Sequence, residues 1–209
     1  MRERGILAVV SGFSGAGKGT LMKALMDRYD NYALSISVTT RQPREGEKDG
    51  REYFFITEEQ FDEMVAQDRL IEYARYVHHS YGTPKDYVMR QLEEGKDVIL
   101  EIEIQGALKV KERFPETLLA FVTPPSAEEL KRRLVNRGTE TEEVIEARMR
   151  RACEEAEQMD RYDYLLINDQ LDACVEELHR LIQAQHGRMN LHRDFAERMK
   201  RELKEISGK

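Results

Sequence analysis

The chain has 209 residues, of which 40% are apolar and 35% are charged, with 13 glycines and 5 prolines. This composition predicts one folded globular domain and excludes the collagen-like, disordered and disulfide-scaffold classes. The formal net charge of -7 and the pI near 5.4 argue against a general binder of nucleic acid or of anionic membranes.

The apolar runs of the sequence are short. The longest, residues 6–10 and 118–122, have five residues each, too few for a membrane span or for the core of a signal peptide. The two cysteines, Cys153 and Cys174, have neither metal-binding nor redox spacing. We therefore expect a reduced, cytoplasmic protein without nucleic-acid or membrane partners.

Short β-branched runs alternate with longer amphipathic stretches along the chain. The runs are typical of strands buried on both faces of a parallel sheet. They predict strands over residues 6–10, 34–38, 98–102, 118–122 and 164–167. The amphipathic stretches predict helices over residues 18–29, 86–94, 126–136 and 141–159. Gly95 is a candidate cap for the second helix, and Ser126 with Glu129 a capping box for the third. This alternation predicts the α/β class.

Two segments interrupt the alternation. Residues 41–81 are polar and aromatic, and residues 131–160 are rich in arginine and acidic residues. We expect both to be insertions at the ligand-binding end of the sheet. The tail from His186 carries four apolar residues at a spacing of four, Leu191, Phe195, Met199 and Leu203. This spacing predicts an amphipathic helix that docks on this chain or on a partner.

Residues 11–20, with the sequence SGFSGAGKGT, join the first predicted strand to the first predicted helix. A glycine-rich turn in this position allows backbone N–H groups and the positive end of the helix to surround phosphate oxygens. Lys18 is placed to reach the β- and γ-phosphates of a nucleotide. We therefore predict a phosphate-binding loop made of Gly12, Phe13, Ser14, Gly15, Ala16, Gly17, Lys18, Gly19 and Thr20. The alternative is a glycine-rich turn with a purely structural role.

One position of this loop departs from the usual pattern. Gly19 follows Lys18, so the hydroxyl that usually touches Mg²⁺ is displaced by one residue, to Thr20. We therefore expect magnesium to be held largely through water and the nucleotide.

A second set of candidate residues lies downstream. Arg41 and Arg44 flank a proline turn, so both guanidiniums can bind one small dianion at low entropic cost. The hydroxyls of Tyr53 and Tyr81 are candidates to complete this anion site. The alternative is a solvated turn with two surface arginines.

Three carboxylates lie in or beside strand-like apolar segments, those of Glu72, Glu101 and Glu103. A charge buried there is unfavourable unless a partner compensates it. Guanine can be that partner, because its N1–H and N2–H₂ groups can both donate to a carboxylate, whereas adenine presents a bare acceptor at N1. The alternative for Glu72 is a salt bridge at a strand edge.

The motif T-T-R-x-P-R-x-G-E is met by residues 39–47, and R-G-T-E-T-E-E by residues 137–143. With the phosphate loop, these motifs make the chain resemble a guanylate kinase of the bacterial type over about residues 5–185. The resemblance implies the P-loop kinase fold, with a central five-stranded parallel sheet flanked by helices, a mixed α/β GMP-binding insertion and a helical lid. It implies a single domain with a core of residues 1–36, 84–125 and 160–185, a GMP-binding insertion of 37–83, a lid of 126–159 and a helical tail of 186–209.

The resemblance also implies roles for the acceptor residues. Arg41, Arg44, Tyr53 and Tyr81 would hold the GMP phosphate. Ser37, Glu72 and Glu103 would bind the guanine. Thr83 and Glu101 would also belong to the GMP site, and Glu101 would orient Lys18 or a water molecule bound to Mg²⁺. The family usually has Asp where this chain has Glu103, and Ser also occurs where it has Thr83.

Arginines in the second insertion are candidates to neutralise the migrating phosphoryl group. Arg133 and Arg137 are four residues apart and would share one helix face, while Arg148 lies in the next predicted helix. The resemblance implies that these three arginines close over ATP, with Arg137 and Asn168 near the adenine. The alternative is a set of surface charges balanced by neighbouring glutamates.

The resemblance implies Mg²⁺-dependent transfer of the ATP γ-phosphoryl group to GMP, with dGMP also expected as acceptor, in a monomer or homodimer. Lys18, Arg41 and the three lid arginines are the expected catalytic residues. Three alternatives stay open: a kinase for another nucleoside monophosphate, a non-catalytic scaffold of the same fold, and a P-loop ATPase or GTPase. The intact loop disfavours the scaffold, and the absence of an N-K-x-D motif disfavours the GTPase.

Overall fold

The computed structural model describes residues 4–76, 79–136 and 141–207, without the side chain of Tyr76. In chain order its helices and strands are β1 (Leu7–Gly12), α1 (Lys18–Arg28), β2 (Tyr32–Leu34), β3 (Val38–Thr39), β4 (Phe54–Phe55), α2 (Glu58–Ala66), β5 (Leu70–Tyr76), β6 (His79–Pro84), α3 (Lys85–Glu93), β7 (Asp97–Glu101), α4 (Ile104–Arg113), β8 (Leu118–Thr123), α5 (Ala127–Val135), α6 (Glu142–Ala156), β9 (Tyr164–Ile167), α7 (Leu171–Gln185) and α8 (Arg193–Ser207).

The main sheet has five parallel strands in the order β2-β7-β1-β8-β9. Its central strand is β1, in which Ala8, Val9 and Val10 are all 0% exposed. Helices cover both faces: α1 and α7 contribute Leu25 and Leu178 to one apolar core, and α3 and α4 pack on the other face. Because parallel strands end at the same edge, residues that follow β1 and β7 meet at one end of the sheet.

A smaller sheet in the order β4-β3-β6-β5 stands beside the main one. Strand β6 pairs antiparallel with both β3 and β5, and β3 pairs parallel with β4. Its own core is Val38, Phe61 and Leu70. The phenylalanine comes from α2, which begins with a complete capping box between Thr57 and Gln60. Strand β5 of this sheet contacts α4, the helix that follows β7 of the main sheet.

The α/β class and the five-stranded parallel sheet are confirmed, but the predicted strand over residues 34–38 is wrong. Strand β2 ends at Leu34 in the main sheet, and β3 begins at Val38 in the smaller one. The amide of Ser35 still donates to the Ile99 carbonyl of the main sheet, and two residues later the Ser37 carbonyl accepts from Phe54. The chain therefore changes sheets between Ser35 and Ser37.

The four predicted helices are confirmed with small shifts of their ends, whereas α2, α4 and α7 were not predicted. Gly95 follows α3 with a φ of 80°, as expected for a helix cap. The Ser126 capping box is only half formed: its hydroxyl accepts from the Glu129 amide at 3.1 Å, but the Glu129 carboxylate binds arginines instead.

The predicted amphipathic helix of the tail is present as α8, but none of its residues is buried. Leu191, Phe195, Met199 and Leu203 are all exposed, so this helix does not dock on the rest of the chain. Across the described ranges, no helix combines the length and the apolar character that crossing a bilayer demands.

Candidate active site

The loop between β1 and α1 has the geometry of an anion site. Gly12 and Gly17 have φ values of 141° and 91°, in the region that favours glycine. A side chain at either position would also collide with the protein: a Cβ on Gly12 would lie 2.0 Å from the Val122 carbonyl oxygen, and one on Gly17 2.6 Å from Asn168 Nδ2. Gly17 is the N-cap of α1, so the positive end of this helix faces the space that the loop surrounds.

Lys18 lies at the first turn of α1 and bends back over the loop. Its Nζ donates to the carbonyl oxygens of Gly12 at 2.6 Å and Phe13 at 3.1 Å. Partial desolvation raises the pKa of the Glu101 carboxyl at the end of β7, and the charge of Lys18 opposes that rise. The ammonium group and this carboxylate therefore share one end of the sheet.

Two polar side chains, those of Asn168 and Arg133, bind the backbone of the loop. The buried Asn168 amide donates to the Ala16 carbonyl at 2.9 Å. Arg133 donates to the Asn168 carbonyl at 2.9 Å and to that of Ala16 at 3.4 Å. Arg132 and Arg133 lower the pKa of Glu129 to about 2, so this carboxylate stays charged and fixes Arg133.

The predicted lid arginines come to the same loop where the structure describes them. Arg148 donates to the Ser14 hydroxyl, and Arg133 contacts the loop backbone. The third, Arg137, lies outside the described residues. Two separate helices, α5 and α6, therefore bring a guanidinium to the phosphate loop.

The smaller sheet gathers the predicted anion-binding residues. The Arg41 guanidinium lies 5.3 Å from the centre of the Tyr53 ring, and the Tyr53 and Tyr81 rings are 6.0 Å apart. Glu47 binds Arg41 at 2.9 Å and accepts from the Arg44 amide at 2.8 Å, which raises the pKa of Arg41 and lowers that of Glu47. Glu47 was not assigned a role from the sequence, although it is the last residue of the T-T-R-x-P-R-x-G-E motif.

Glu72 is a buried carboxylate, 8% exposed, on β5. Its Oε1 accepts from the Thr83 hydroxyl at 2.8 Å. Burial raises the pKa of Glu72, while the Thr83 hydrogen bond and the more distant charge of Lys109 act in the opposite direction. Within the part of the chain that the structure describes, no cation forms an ion pair with this carboxylate. Such a buried carboxylate is suited to a ligand that supplies N–H donors.

The expectation that all three carboxylates are buried is wrong for Glu101 and Glu103, which are both exposed. Glu103 occupies the N-cap position of α4, but its carboxylate, instead of capping the helix, pairs with Arg151 of α6 at 2.5 Å. Arg151 also binds Glu155 at 2.9 Å. Burial raises the pKa of Glu155, and the ion pair with Arg151 opposes that rise. The charges of Glu103 and Lys18 act more weakly on this pKa, the first raising it and the second lowering it. Sequence reasoning missed Arg151 and Glu155, because they lie on α6 about 50 residues from Glu103.

The residues around the loop offer few ligands to a metal ion. Over the described ranges, no three His, Cys, Asp or Glu side chains are grouped so that they could hold one. Thr20, exposed in the first turn of α1, and Glu101 supply oxygen atoms. Oxygen donors in so small a number fit Mg²⁺, which keeps several waters and binds to nucleotide phosphates.

Residues 4–185 match the family model for guanylate kinase. This match spans most of the chain and includes the loop, the smaller sheet and the predicted lid arginines. The chain belongs to the guanylate kinase family. Its members are nucleoside monophosphate kinases that act on GMP, as the resemblance of the sequence implied.

Guanylate kinases from two bacteria support the assignment at high coverage. That of Caldanaerobacter subterraneus subsp. tengcongensis is 50% identical over 195 residues, which cover 93% of this chain and 95% of the relative. That of Bacillus subtilis is 51% identical over 187 residues, covering 89% and 92%. The crystal structure of guanylate kinase from Anaplasma phagocytophilum superposes with a TM-score of 0.69 at 29% identity, covering 88% of this chain and 87% of that one.

The guanylate kinase site residues that sequence reasoning selected fall into two groups in the structure. One group surrounds the loop after β1, and the other lines the smaller sheet. Ser37 is half-buried between β2 and β3, and Arg44 is exposed at the turn that follows β3. The carboxylates of Glu72 and Glu103 have different partners, Thr83 for the first and Arg151 of α6 for the second.

Proposed function

We propose that this guanylate kinase transfers the γ-phosphoryl group of ATP to GMP, giving ADP and GDP, and that it also accepts dGMP. The observation that carries the proposal is the buried carboxylate of Glu72, fixed through one oxygen by Thr83. Guanine can donate to such a group from both N1–H and N2–H₂, whereas the N1 acceptor of adenine would face the carboxylate unfavourably.

In this proposal the parts of the chain have separate tasks. Residues 37–83 form the GMP-binding insertion, and residues 126–159 form a lid over ATP. Residues 1–36, 84–125 and 160–185 form the core that carries the phosphate loop, and residues 186–209 are a tail without a role in catalysis. We expect the enzyme to work in the cytoplasm as a monomer or homodimer, without nucleic-acid or membrane partners.

The acceptor phosphate would bind beside Arg41. The guanidiniums of Arg41 and Arg44 and the hydroxyls of Tyr53 and Tyr81 can all donate to its oxygens. Glu47 keeps Arg41 in place before the substrate arrives. Ser37, Glu72, Thr83 and Glu103 would surround the base. Glu103 can contact the base only if its ion pair with Arg151 breaks, so this contact costs the free energy of that ion pair.

The donor phosphates would bind in the loop from Gly12 to Thr20. Lys18 would exchange the Gly12 and Phe13 carbonyls for phosphate oxygens, which compensate its charge better. Mg²⁺ bound with ATP, through Thr20, Glu101 or water, would neutralise charge on the β- and γ-phosphates. Asn168 would contribute to the ATP site by fixing the loop and by adjoining the adenine, together with Arg137.

The reaction itself is an in-line displacement. An oxygen of the GMP phosphate attacks the γ-phosphorus, and the bond from that phosphorus to the bridging oxygen breaks to leave ADP. The attacking oxygen is already anionic, so the step needs no general base. Lys18, Arg41, Arg133, Arg137 and Arg148 would stabilise the charge on the moving group, and closure of the lid would exclude water that otherwise hydrolyses ATP.

The test is ADP release from purified protein with Mg-ATP and one acceptor at a time, GMP, dGMP, AMP, CMP or UMP, beside a control without acceptor. The proposal predicts turnover with the two guanine nucleotides and little above the control with the others. Preference for AMP or a pyrimidine would contradict the assignment of Glu72 to guanine. Turnover no faster than the control in every case would contradict the kinase proposal.

A further inference from the structure

Gly106 in the first turn of α4 lies directly against the carboxylate of Glu72. A Cβ atom built on Gly106 would lie 2.9 Å from Glu72 Oε2 and 3.4 Å from Glu72 Cδ. A methyl carbon cannot sit this close to a carboxylate oxygen without displacing it. Any side chain at position 106 would therefore move the Glu72 carboxylate.

The backbone of α4 does not itself need glycine at this position. Gly106 is the third residue of the helix, and its φ lies outside the left-handed region. Within a helix, glycine is less favourable than alanine, because it loses more backbone entropy on folding. The reason for glycine must therefore lie in what contacts it.

Those contacts point to Glu72 rather than to general packing. Besides the two carboxylate atoms, the third nearest atom to an added Cβ is the terminal Cδ1 of Ile102, at 3.4 Å. All three atoms are the ends of flexible side chains, so none of the nearest is part of the β5 backbone. An added methyl group would thus push Glu72 aside before it separated α4 from β5.

The opposite side of the carboxylate is already fixed. Thr83 donates to Oε1 at 2.8 Å, and the surrounding protein leaves Glu72 only 8% exposed. The carboxylate is therefore confined between the Thr83 hydroxyl and the space above Gly106. Its orientation depends on both neighbours.

We propose that Gly106 is a positioning residue that determines specificity for the acceptor base, because its lack of a side chain leaves the Glu72 carboxylate free to accept from guanine. This inference rests on the proposed binding of guanine by Glu72. Gly106 acts through Glu72 and does not itself touch the substrate.

The first test is Gly106→Ala, with steady-state kinetics for both substrates. The KM for GMP should rise roughly tenfold or more, the effect of one weakened hydrogen bond to a charged group. The KM for ATP should not change, the preference for GMP over AMP should fall, and the melting temperature should not drop. Gly187→Ala is the matched control, because its Cβ would lie 3.6 Å from the Ala184 carbonyl oxygen, an ordinary contact.

The second test separates positioning from packing. The substitution Glu72→Asp shortens the side chain, so the carboxylate would lie farther from the methyl group that Gly106→Ala adds. In the double variant Gly106→Ala, Glu72→Asp, the KM for GMP should therefore rise by less than the product of the two single effects. A multiplicative rise would overturn the inference. So would a Gly106→Ala variant that melts at a markedly lower temperature without recovery in the double variant.

The outcomes for the wild-type chain keep this inference distinct from the proposed function. If wild type phosphorylates GMP but Gly106→Ala leaves its KM within about twofold, the positioning role fails and the proposed function stands. If wild type does not use GMP, the proposed function fails, and the inference fails with it.

Discussion

The side-chain amide of Asn168 donates to the carbonyl oxygen of Ala16 at 2.9 Å, and both groups are buried. The contact joins the end of β9 to the middle of the phosphate loop, across 152 positions in the sequence. The same amide nitrogen lies 2.6 Å from the position that a Cβ on Gly17 would occupy. Asn168 thus fixes the backbone of the loop at Ala16.

Asn168→Ala should therefore loosen the loop. The Ala16 carbonyl would keep only the 3.4 Å contact with Arg133, and a poorly paired buried carbonyl costs about 1–3 kcal/mol. We expect a lower melting temperature and a higher KM for ATP, with the KM for GMP nearly unchanged. Thermal unfolding and kinetics check this, with the exposed Asn190→Ala as control. An unchanged KM for ATP would show that the loop does not depend on Asn168.

Lys18→Ala should abolish turnover and leave GMP binding largely intact. The lysine is the cation in the phosphate loop, whereas the proposed GMP site lies in the smaller sheet around Arg41 and Glu72. Calorimetric titration with GMP and measurement of ADP release separate the two effects. Lys23→Ala, an exposed position of the same helix, should behave as wild type. Measurable turnover by Lys18→Ala would contradict its catalytic role.

Glu72→Gln should bind GMP roughly ten- to a hundredfold more weakly, because the amide group presents a donor toward the guanine donors and removes the charge. The free energy of unfolding, in contrast to the affinity for GMP, should rise in this variant. The folded form raises the pKa of Glu72, so it binds a proton more tightly than the unfolded chain, and stability falls as pH rises through the two pKa values.

Glu72→Gln removes the free-energy cost of keeping a charged carboxylate buried, so at neutral pH it should melt at a slightly higher temperature than wild type. For the same reason, wild-type GMP affinity should begin to fall on acidification above the range of an ordinary glutamate. Denaturation and GMP titration between about pH 4 and 8 check both effects. This range of about four units begins near the ordinary pKa of Glu and extends above it. Glu112→Gln on the exposed side of α4 is the control. A destabilised Glu72→Gln would contradict the idea that the charge is buried for function.

Arg151→Gln should strengthen GMP binding by up to about fivefold, the measured limit for a partly exposed ion pair. Glu103 would then no longer have to leave Arg151 to approach the base. The difference from wild type should shrink at high salt, because salt screens exposed pairs. Arg150→Gln, which breaks only a 3.8 Å surface pair with Glu146, is the control. Equal or weaker GMP binding by Arg151→Gln would argue against a contact of Glu103 with guanine.

The sequence predicted those parts of the fold and of the candidate site that depend on residues adjacent in the chain. The phosphate loop follows from glycines and a lysine between a strand and a helix, and all of these residues are adjacent in the chain. The residues predicted to bind an anion, Arg41, Tyr53 and Tyr81, come together in the smaller sheet.

The remainder depends on contacts between distant segments. The alternation of Leu34, Ile36 and Val38 has the period of a strand, but that period is the same in either sheet, so it could not show that the chain changes sheets there. Helix α4 was missed because Gly106 interrupts its apolar period. The ion pair of Arg151 with Glu103 joins residues 48 positions apart and leaves no local pattern.

The most direct test of guanine binding by Glu72 compares GMP with IMP as acceptor for wild type and Glu72→Gln. IMP keeps N1–H but lacks the N2 amino group, so the ratio of kcat/KM for the two acceptors isolates one donor to the carboxylate. Wild type should favour GMP strongly, and Glu72→Gln should lose most of this preference. An unchanged ratio in Glu72→Gln would show that the buried carboxylate does not bind the base.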